Sequence, residues 1–313
     1  LREADRVMGV RVRDSDTGAI TEVRAHCVIN AAGVWTDEVQ ALSKERGHFK
    51  VRASKGVHIV VPRDRIVSET AIILRTANSV LFVIPWETHW IIGTTDTDWN
   101  LDLAHPAATH KDIDYILDRV NEVLVSPLTH DDIEGVYAGL RPLLAGEDEG
   151  TSTLSREHAV AVVAPGLISI AGGKYTTYRV MGADAVDACN DFIPTRVAPS
   201  ITERVPLLGA DGYFALINQC DFLGKRFGLH PYRVRRLLNR YGSLIDDVLR
   251  LADDDPTLLE PLAAAPQYLR VEIVYAVRNE AALHLEDLLA RRTRISIEYS
   301  HRGVGCATEV ADL

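Results

Sequence analysis

Between Val51 and Asp98 lie four apolar runs, VRASKGVHIVVP, AIILRT, SVLFVIPWE and HWIIGTTD, separated by turn residues and by no helical segment. A parallel strand pair needs a crossover of a dozen or more residues, usually a helix, whereas antiparallel neighbours need only a short turn. The spacing therefore predicts an antiparallel sheet here. That excludes a purely doubly wound fold, and everything else in the chain has to be arranged around this sheet.

The flanking segments are of another kind. Val7 to Val12 alternates, DSDTG (14–18) is a turn cluster, and Ile20 to Val28 reads as a second strand. CVINAAG (27–33) is a buried-type strand ending in glycine, with a helix expected over Trp35 to Ala41, which is α/β in character. HKDIDYILDRVNEVL (110–124) places Ile113, Ile116, Leu117, Val120, Val123 and Leu124 on one side of a helix. VYAGLRPLL, STLSREHAVAVVA and LISIAGGK return to strand character. After Ala198-Pro199 the texture is helical, with GYFALINQCDFLGKRFG, HPYRVRRLLNRYG, SLIDDVLRLA and QYLRVEIVYAVRNEAALHLEDLLARRTR all showing three-four spacing.

The 313 residues are enough for two domains. The net charge of -10 disfavours nucleic acid as a partner. It also repels anionic substrates, except where basic groups focus the field locally. Cys27, Cys189, Cys220 and Cys306 are scattered without a C-x-x-C pair, which fits a reducing cytoplasmic setting better than a disulfide framework. The longest apolar run, Ala159 to Ala171, is too short to span a membrane and is broken by Pro165-Gly166. A chain opening on Leu1 reads as the C-terminal part of a longer protein, or a processed one.

Several motifs fail on inspection. A phosphate loop needs Ser or Thr after its lysine, but Lys174 is followed by Tyr175, and Ile168 stands where the first glycine belongs. Asp96, Asp98 and Asn100 alternate like calcium ligands, but Leu101 and Ala107 occupy the positions that need Gly and Glu. No H-E-x-x-H occurs and the histidines do not cluster, so no metal is expected.

Other features carry two readings each. In ISIAGGKYTTYR, Gly172 and Gly173 allow close backbone approach to a ligand. A helix beginning near Thr176 would aim N–H groups and its positive end at that ligand, and Lys174 would add a full charge. The alternative is a tight strand-to-helix turn with a solvent-facing lysine. Arg141 and Arg156, in strand-like AGLRPLL and LSREHA, suit phosphate or carboxylate recognition, or else ion pairs with Glu147, Asp148 or Glu157. His58, inside GVHIVVP, is a satisfied core histidine or a general base, and Thr94, Thr95 and Asp96 end a neighbouring strand that can line the same pocket. Arg233, Arg236 and Arg240 share a helical face, either solvated and paired with acids such as Asp246 and Asp247 or set on anionic lipid.

Taken together, VINAAGVWTD, SKGVHIVVP, LFVIPWETHWIIGTTDTDW, GLRPLL, SREH and ISIAGGKYTTYRVMGADAVD resemble the FAD-dependent glycerol-3-phosphate dehydrogenases over nearly the whole chain. The resemblance implies a glutathione-reductase-like FAD fold, α/β with an antiparallel substrate-domain sheet and an all-helical C-terminal cap. Residues 1–48 and 164–190 would form part of the FAD domain, 49–163 the substrate domain and 199–313 the cap. The family's G-x-G-x-x-G element is absent, and GVGCAT (303–308) lacks both the third glycine and a preceding strand. So the ADP-binding half of the flavin fold is expected to be missing.

The implied reaction is oxidation of sn-glycerol 3-phosphate to dihydroxyacetone phosphate, with hydride passing to FAD and electrons to a membrane quinone. By position, Arg141 and Arg156 would grip the phosphate, and Lys174 would stabilise developing negative charge. His58 would accept the proton, and Arg141 is a competing contact to the substrate oxygen. Ala31, Ala32 and Gly33, with Gly172, Gly173, Lys174 and Tyr175, would meet the flavin. Peripheral contact with the inner face of the cytoplasmic membrane and a homodimer belong to the same expectations. The competing expectations are a related flavin oxidase that uses oxygen, and a non-catalytic fragment unable to hold FAD.

Overall fold

The computed structural model describes residues 1–44, 50–76, 80–145, 157–195 and 197–313. The chain opens with two antiparallel hairpins, Arg2–Glu3 (β1) with Arg6–Val7 (β2), and Gly9–Arg13 (β3) with Ile20–Arg24 (β4). The second turns at the DSDTG cluster, where Asp14 Oδ1 accepts the backbone N–H groups of Asp16 (2.9 Å) and Thr17 (2.8 Å). This is the local bonding that suits Asp to turns. Val28–Asn30 (β5) leads through a 3₁₀ turn at Gly33–Trp35 into the helix Thr36–Ala41 (α1).

The apolar runs then fold as the expected antiparallel sheet. Its strands are Val51–Pro62 (β6), Ile72–Arg75 (β7), Val80–Trp86 (β8), His89–Gly93 (β9), Thr97–Asp98 (β10) and Gly135–Leu144 (β11). The long strand β6 organises it. One edge pairs with β11 over ten residues, from Val51↔Leu144 to Val60↔Gly135. The other edge pairs with β9 beside its second half and with β10 beside its first. Strands β8 and β7 extend the sheet outward from β9.

Period-two alternation gives β6 two different faces. Val57, Ile59 and Val61 point into a core with Leu81, Val83, Trp90 and Ile92, covered by Ile116, Leu117 and Val120 of His110–Asn121 (α2). Fully burying each such side chain contributes about 1.5–3 kcal/mol. The helix starts at a capping box: Asp112 Oδ2 accepts the Thr109 N–H (2.8 Å), and Thr109 Oγ1 accepts the Asp112 N–H (3.3 Å). It ends three residues short of the predicted Leu124. There the Asn121 amide donates to the Leu128 carbonyl (2.9 Å) and accepts its N–H (2.8 Å), turning the chain.

His158–Ala164 (β12) and Leu167–Gly172 (β13) form a hairpin, and β13 runs parallel to β5 in the register Leu167↔Val28, Ile168↔Ile29, Ser169↔Asn30. Tyr178–Asp187 (α3) follows. Here two sequence-distant cysteines meet: the Cys27 thiol lies 3.2 Å from Cys189 Sγ. Burial, reinforced by Cys189, pushes the Cys27 thiol up to about 12.

The last third is helical: Tyr213–Ile217 (α4), Cys220–Phe227 (α5), Pro231–Tyr241 (α6), Ile245–Arg250 (α7), Arg270–Asn279 (α8), Ile295–Glu298 (α9) and Ala307–Asp312 (α10). Val234, Leu237, Leu238, Ile245, Val248 and Leu249 pack with Val271 and Val274 in one core. Two expectations are corrected here. The continuous periodicity after Gln267 breaks at Ala281, whose φ is +54, and Ala282 N–H returns to Ala276 O at 3.1 Å. This closes the helix end as a left-handed residue does, without the glycine that would have signalled it. The arginine face of α6 is also not a solvated or lipid-facing one. Arg236 is buried, 2.8 Å from Glu87 and 3.4 Å from Glu298, and Arg240 pairs with buried Glu272 at 2.9 Å. Asp246 and Asp247 pair instead with Arg226 and Arg250.

Candidate active site

The face of β6 turned away from α2 carries Ser54, Gly56 and His58. The register sets Arg141, Gly139 and Tyr137 of β11 directly opposite them. Arg141 reaches back across Gly56, where an added Cβ would come within 2.4 Å of its Nη2. Nη2 donates to Thr94 Oγ1 (3.0 Å) and Nη1 to the Thr95 carbonyl (3.4 Å). Thr95 Oγ1 accepts the Val57 N–H (3.0 Å), and Ser54 Oγ donates to the Asp96 carboxylate in a short hydrogen bond. So the Thr94–Asp96 segment lines the same face as Arg141, as the sequence suggested.

His58 sits at the middle of this face. Its ring stacks on Tyr137, with centroids 4.9 Å apart and planes 10° from parallel. On the other side it lies against Gly93, where a Cβ would be 2.2 Å from His58 Cδ2. Nδ1 is buried with no hydrogen-bond partner among the described residues. Burial, aided by the Arg141 charge, pulls the imidazole from its ordinary 6.5 down to about 4. It is therefore a neutral ring across the physiological range.

The opposite face of β6 holds a group that the sequence reading passed over. Lys55 is buried, with its ammonium 2.7 Å from Asp112 Oδ2, 3.2 Å from the Ala107 carbonyl and 5.0 Å from the Trp99 ring. Burial works to raise the Asp112 carboxyl, but hydrogen bonds from Lys55 and Thr109 outweigh it and hold the group below its ordinary range.

A second candidate region stands after the parallel strands β5 and β13. Ala31, Ala32 and Gly33 follow β5, and the buried Asn30 fixes their path by donating to Thr36 O (3.0 Å) and Ser169 Oγ (3.2 Å). Gly172 and Gly173 end β13 with φ of +77 and +81, values that favour glycine. A Cβ on Gly172 would strike the Glu157 carbonyl at 2.4 Å and touch Leu144, three residues past Arg141. Thus the end of β11 abuts Gly172 and brings the arginine's strand to the turn between β13 and α3. Lys174 and Tyr175 are exposed there. The first helical turn is 3₁₀, Tyr175–Thr177, one residue earlier than the predicted start. Ligands of open α/β sheets bind at such carboxyl ends of parallel strands. Arg156, with Glu147 and Asp148, lies outside the described residues.

Residues 1–179 match the model of the FAD dependent oxidoreductase family, and residues 200–313 that of the C-terminal domain of alpha-glycerophosphate oxidase. The chain belongs to the FAD-dependent oxidoreductase family. It is 73% identical over all 313 residues to glycerol-3-phosphate dehydrogenase 2 of Mycobacterium tuberculosis, covering 54% of that protein. It is 33% identical over 302 residues to the aerobic glycerol-3-phosphate dehydrogenase of Staphylococcus haemolyticus, covering 53% of it. The glycerol-3-phosphate dehydrogenase of Bacillus halodurans, solved with FAD, superposes with a TM-score of 0.84 at 31% identity, over 99% of this chain and 62% of that one. The chain spans about half the length of the curated relatives it matches.

The residues present fit the ring end of such a cofactor. Gly172 packs on the Glu157 carbonyl and Gly173 on the Met181 side chain with no room for a Cβ, so the turn at the β13 terminus carries no side chain at these two positions. The pyrophosphate fingerprint is absent from these residues. Gly303 ends a left-handed stretch, His301 to Gly303, and Gly305 follows it in the segment that leads into α10; no strand directly precedes them.

Proposed function

We propose that the complete protein oxidises the C2 hydroxyl of sn-glycerol 3-phosphate to give dihydroxyacetone phosphate, and that this chain supplies the substrate-facing half of its active site. One observation carries the reading. A neutral histidine and an arginine share one sheet face, and the arginine's strand ends against the glycine turn of a flavin-type βα unit.

Bound FAD would serve as the two-electron acceptor for the hydride leaving C2. His58 takes the hydroxyl proton as the C2 carbonyl forms. Arg141 binds the substrate phosphate or its reacting oxygen; with its high pKa it is a donor, not a base. Arg156 is assigned to the phosphate on its sequence motif alone. Lys174 offsets negative charge developing at the redox edge. Residues 1–48 with 164–190, 49–163 and 199–313 act as flavin, substrate and cap units. Electrons leave for a quinone at the inner face of the cytoplasmic membrane; no helix among the described residues is long and apolar enough to cross one.

The test uses the complete protein with its preceding segment. It should oxidise glycerol 3-phosphate but not glycerol. Arg141→Ala should raise KM about tenfold or more, which corresponds to about 1.4 kcal/mol or more of lost binding. Lys174→Ala should lower kcat more than it raises KM. Equal turnover of both substrates, or unchanged constants in both variants, overturns the assignment. A second reading, a flavin oxidase, is favoured by the oxidase named in the matching C-terminal model. Peroxide formation in air against quinone reduction without air distinguishes the two.

A further inference from the structure

We infer that Tyr137 is a positioning residue: together with Gly93 it clamps the His58 imidazole between cross-strand neighbours and sets the orientation in which the ring meets the substrate. The inference rests on His58 being the proton acceptor of the proposed reaction.

The geometry is set by register. Tyr137 and Gly93 are the residues paired with His58 on β11 and β9, so the His58 and Tyr137 side chains leave the sheet on one face, beside the bare backbone of Gly93. Side chains of directly paired residues stand about 4.5–5.5 Å apart at Cβ, close enough for rings to contact. The near-parallel Tyr137 ring covers one side of the imidazole. Gly93 leaves the space into which the other side settles, and any side chain there would collide with Cδ2, Cγ and Nε2. A histidine whose ring nitrogens are held by hydrogen bonds has its orientation fixed by those bonds. Here Nδ1 has no such partner among the described residues, so packing has to hold the ring.

Gly93 also leads directly into Thr94, whose hydroxyl accepts from Arg141, so the clamp and the arginine share one short segment. The titratable or charged groups facing the ring are Tyr137 and Arg141, both from β11. From the β9 side come Gly93, Thr94 and Thr95, and the Asp96 carboxylate that follows them is bonded to Ser54. Tyr137 itself stays neutral, since burial raises its phenol above the ordinary range.

A stacked phenyl should replace the phenol. In the complete enzyme Tyr137→Phe is expected to keep kcat within about twofold. Tyr137→Leu, which fills the space without a ring, and Tyr137→Ala should lower kcat about tenfold or more, with KM for glycerol 3-phosphate within about threefold. That split fits a misplaced acid–base group, whose usual contribution is about 10²–10⁴-fold. In a His58→Ala background, Tyr137→Leu should cost nothing further, because residues acting through one another are not additive. Independently of activity, the His58 ring protons, followed by NMR without substrate, should lose their ring-current shift in Tyr137→Leu and keep it in Tyr137→Phe. In Tyr137→Ala the ring becomes hydrated, and its titration midpoint should rise from about 4 towards 6.5.

Additive losses in the double variant, or a His58 spectrum indifferent to all three substitutions, would overturn the clamp. If the complete enzyme does not oxidise glycerol 3-phosphate at all, the functional reading fails, while the NMR arms still decide whether Tyr137 holds the ring.

Discussion

Two glycines on the sheet show how single residues shape the site by what they leave out. Gly56 gives the Arg141 guanidinium its resting place, and the group that a Cβ would meet is the far end of a flexible chain. Gly56→Ala should therefore leave the melting temperature of the complete protein nearly unchanged while displacing Arg141. Its KM for the phosphorylated substrate should rise by about tenfold, equivalent to about 1.4 kcal/mol; a fall in melting temperature without a KM change would place its importance in the fold. His58 gives a pH signature of the opposite kind. Its imidazole is held near 4 when folded and returns to its ordinary 6.5 when unfolded. As pH falls from about 6.5 to about 4, the unfolded state takes up this proton and the folded state does not, so stability is lost across that window. Replacing His58 with Asn should flatten the pH dependence of the denaturation midpoint there. A glycine inside a strand already signals a close approach, so Gly56 and Gly93 could have been flagged from sequence. Which side chain each one accommodates depends on cross-strand register, which neither residue encodes.

At the scale of elements, β6 and α2 are joined by a charged group that the strand period sets on the core face. Lys55 alternates onto the core face with Val57 and Ile59, where a lysine is tolerated only with a partner. Asp112 is that partner, and it is also the N3 residue of the α2 capping box, so one carboxylate both starts the helix and neutralises the strand. Thr109→Ala should cost about 1 kcal/mol, as lost caps do. Asp112→Asn should cost about 3–5 kcal/mol because it strands a buried ammonium. Urea titration of the two variants checks the order, and equal effects would show that Lys55 finds solvent. Because the Asp112 carboxyl is depressed in the folded state, its contribution is present above its ordinary 3.8 and is lost as pH falls through the folded value. The amphipathic period of α2 was legible, and so was its start. Its end was not, because Asn121 closes it through backbone groups seven residues away.

Across the whole molecule, β6 and β11 act as a span. At one end Leu144 meets the glycine turn of β13; at the other, Gly135 lies against the Ile297 carbonyl and the β8–β9 turn meets the helical third. That second junction is polar. Arg236 bonds Glu87 and Glu298, and Trp86 Nε1 and the Tyr268 hydroxyl also donate to Glu298. Burial opposes the Arg236 charge, but Tyr268, Glu272, Glu87 and Glu298 keep the guanidinium above its ordinary value. Arg236→Ala should destabilise the complete protein by about 3–5 kcal/mol by leaving the Glu298 carboxylate buried without its counter-charge. It should also expose the junction to protease before the sheet is cut. Simultaneous cleavage of both regions would show that the helices do not depend on this contact.

The sequence by itself determined the kinds of element and their order: antiparallel sheet, flavin-type strand and turn, then helices. Spacing of apolar residues and turn chemistry act over a few residues and are written locally. It also determined, through its motifs, the family, and it offered His58, Arg141, Lys174 and the two glycine turns as candidate site residues. Only the tertiary structure decided that Tyr137 and Gly93 enclose His58, that Arg141 lies over Gly56, and that Arg236 and Arg240 of α6 pair with buried acids. Each of those contacts joins strands or helices distant in sequence, and register and burial, not local pattern, bring them together.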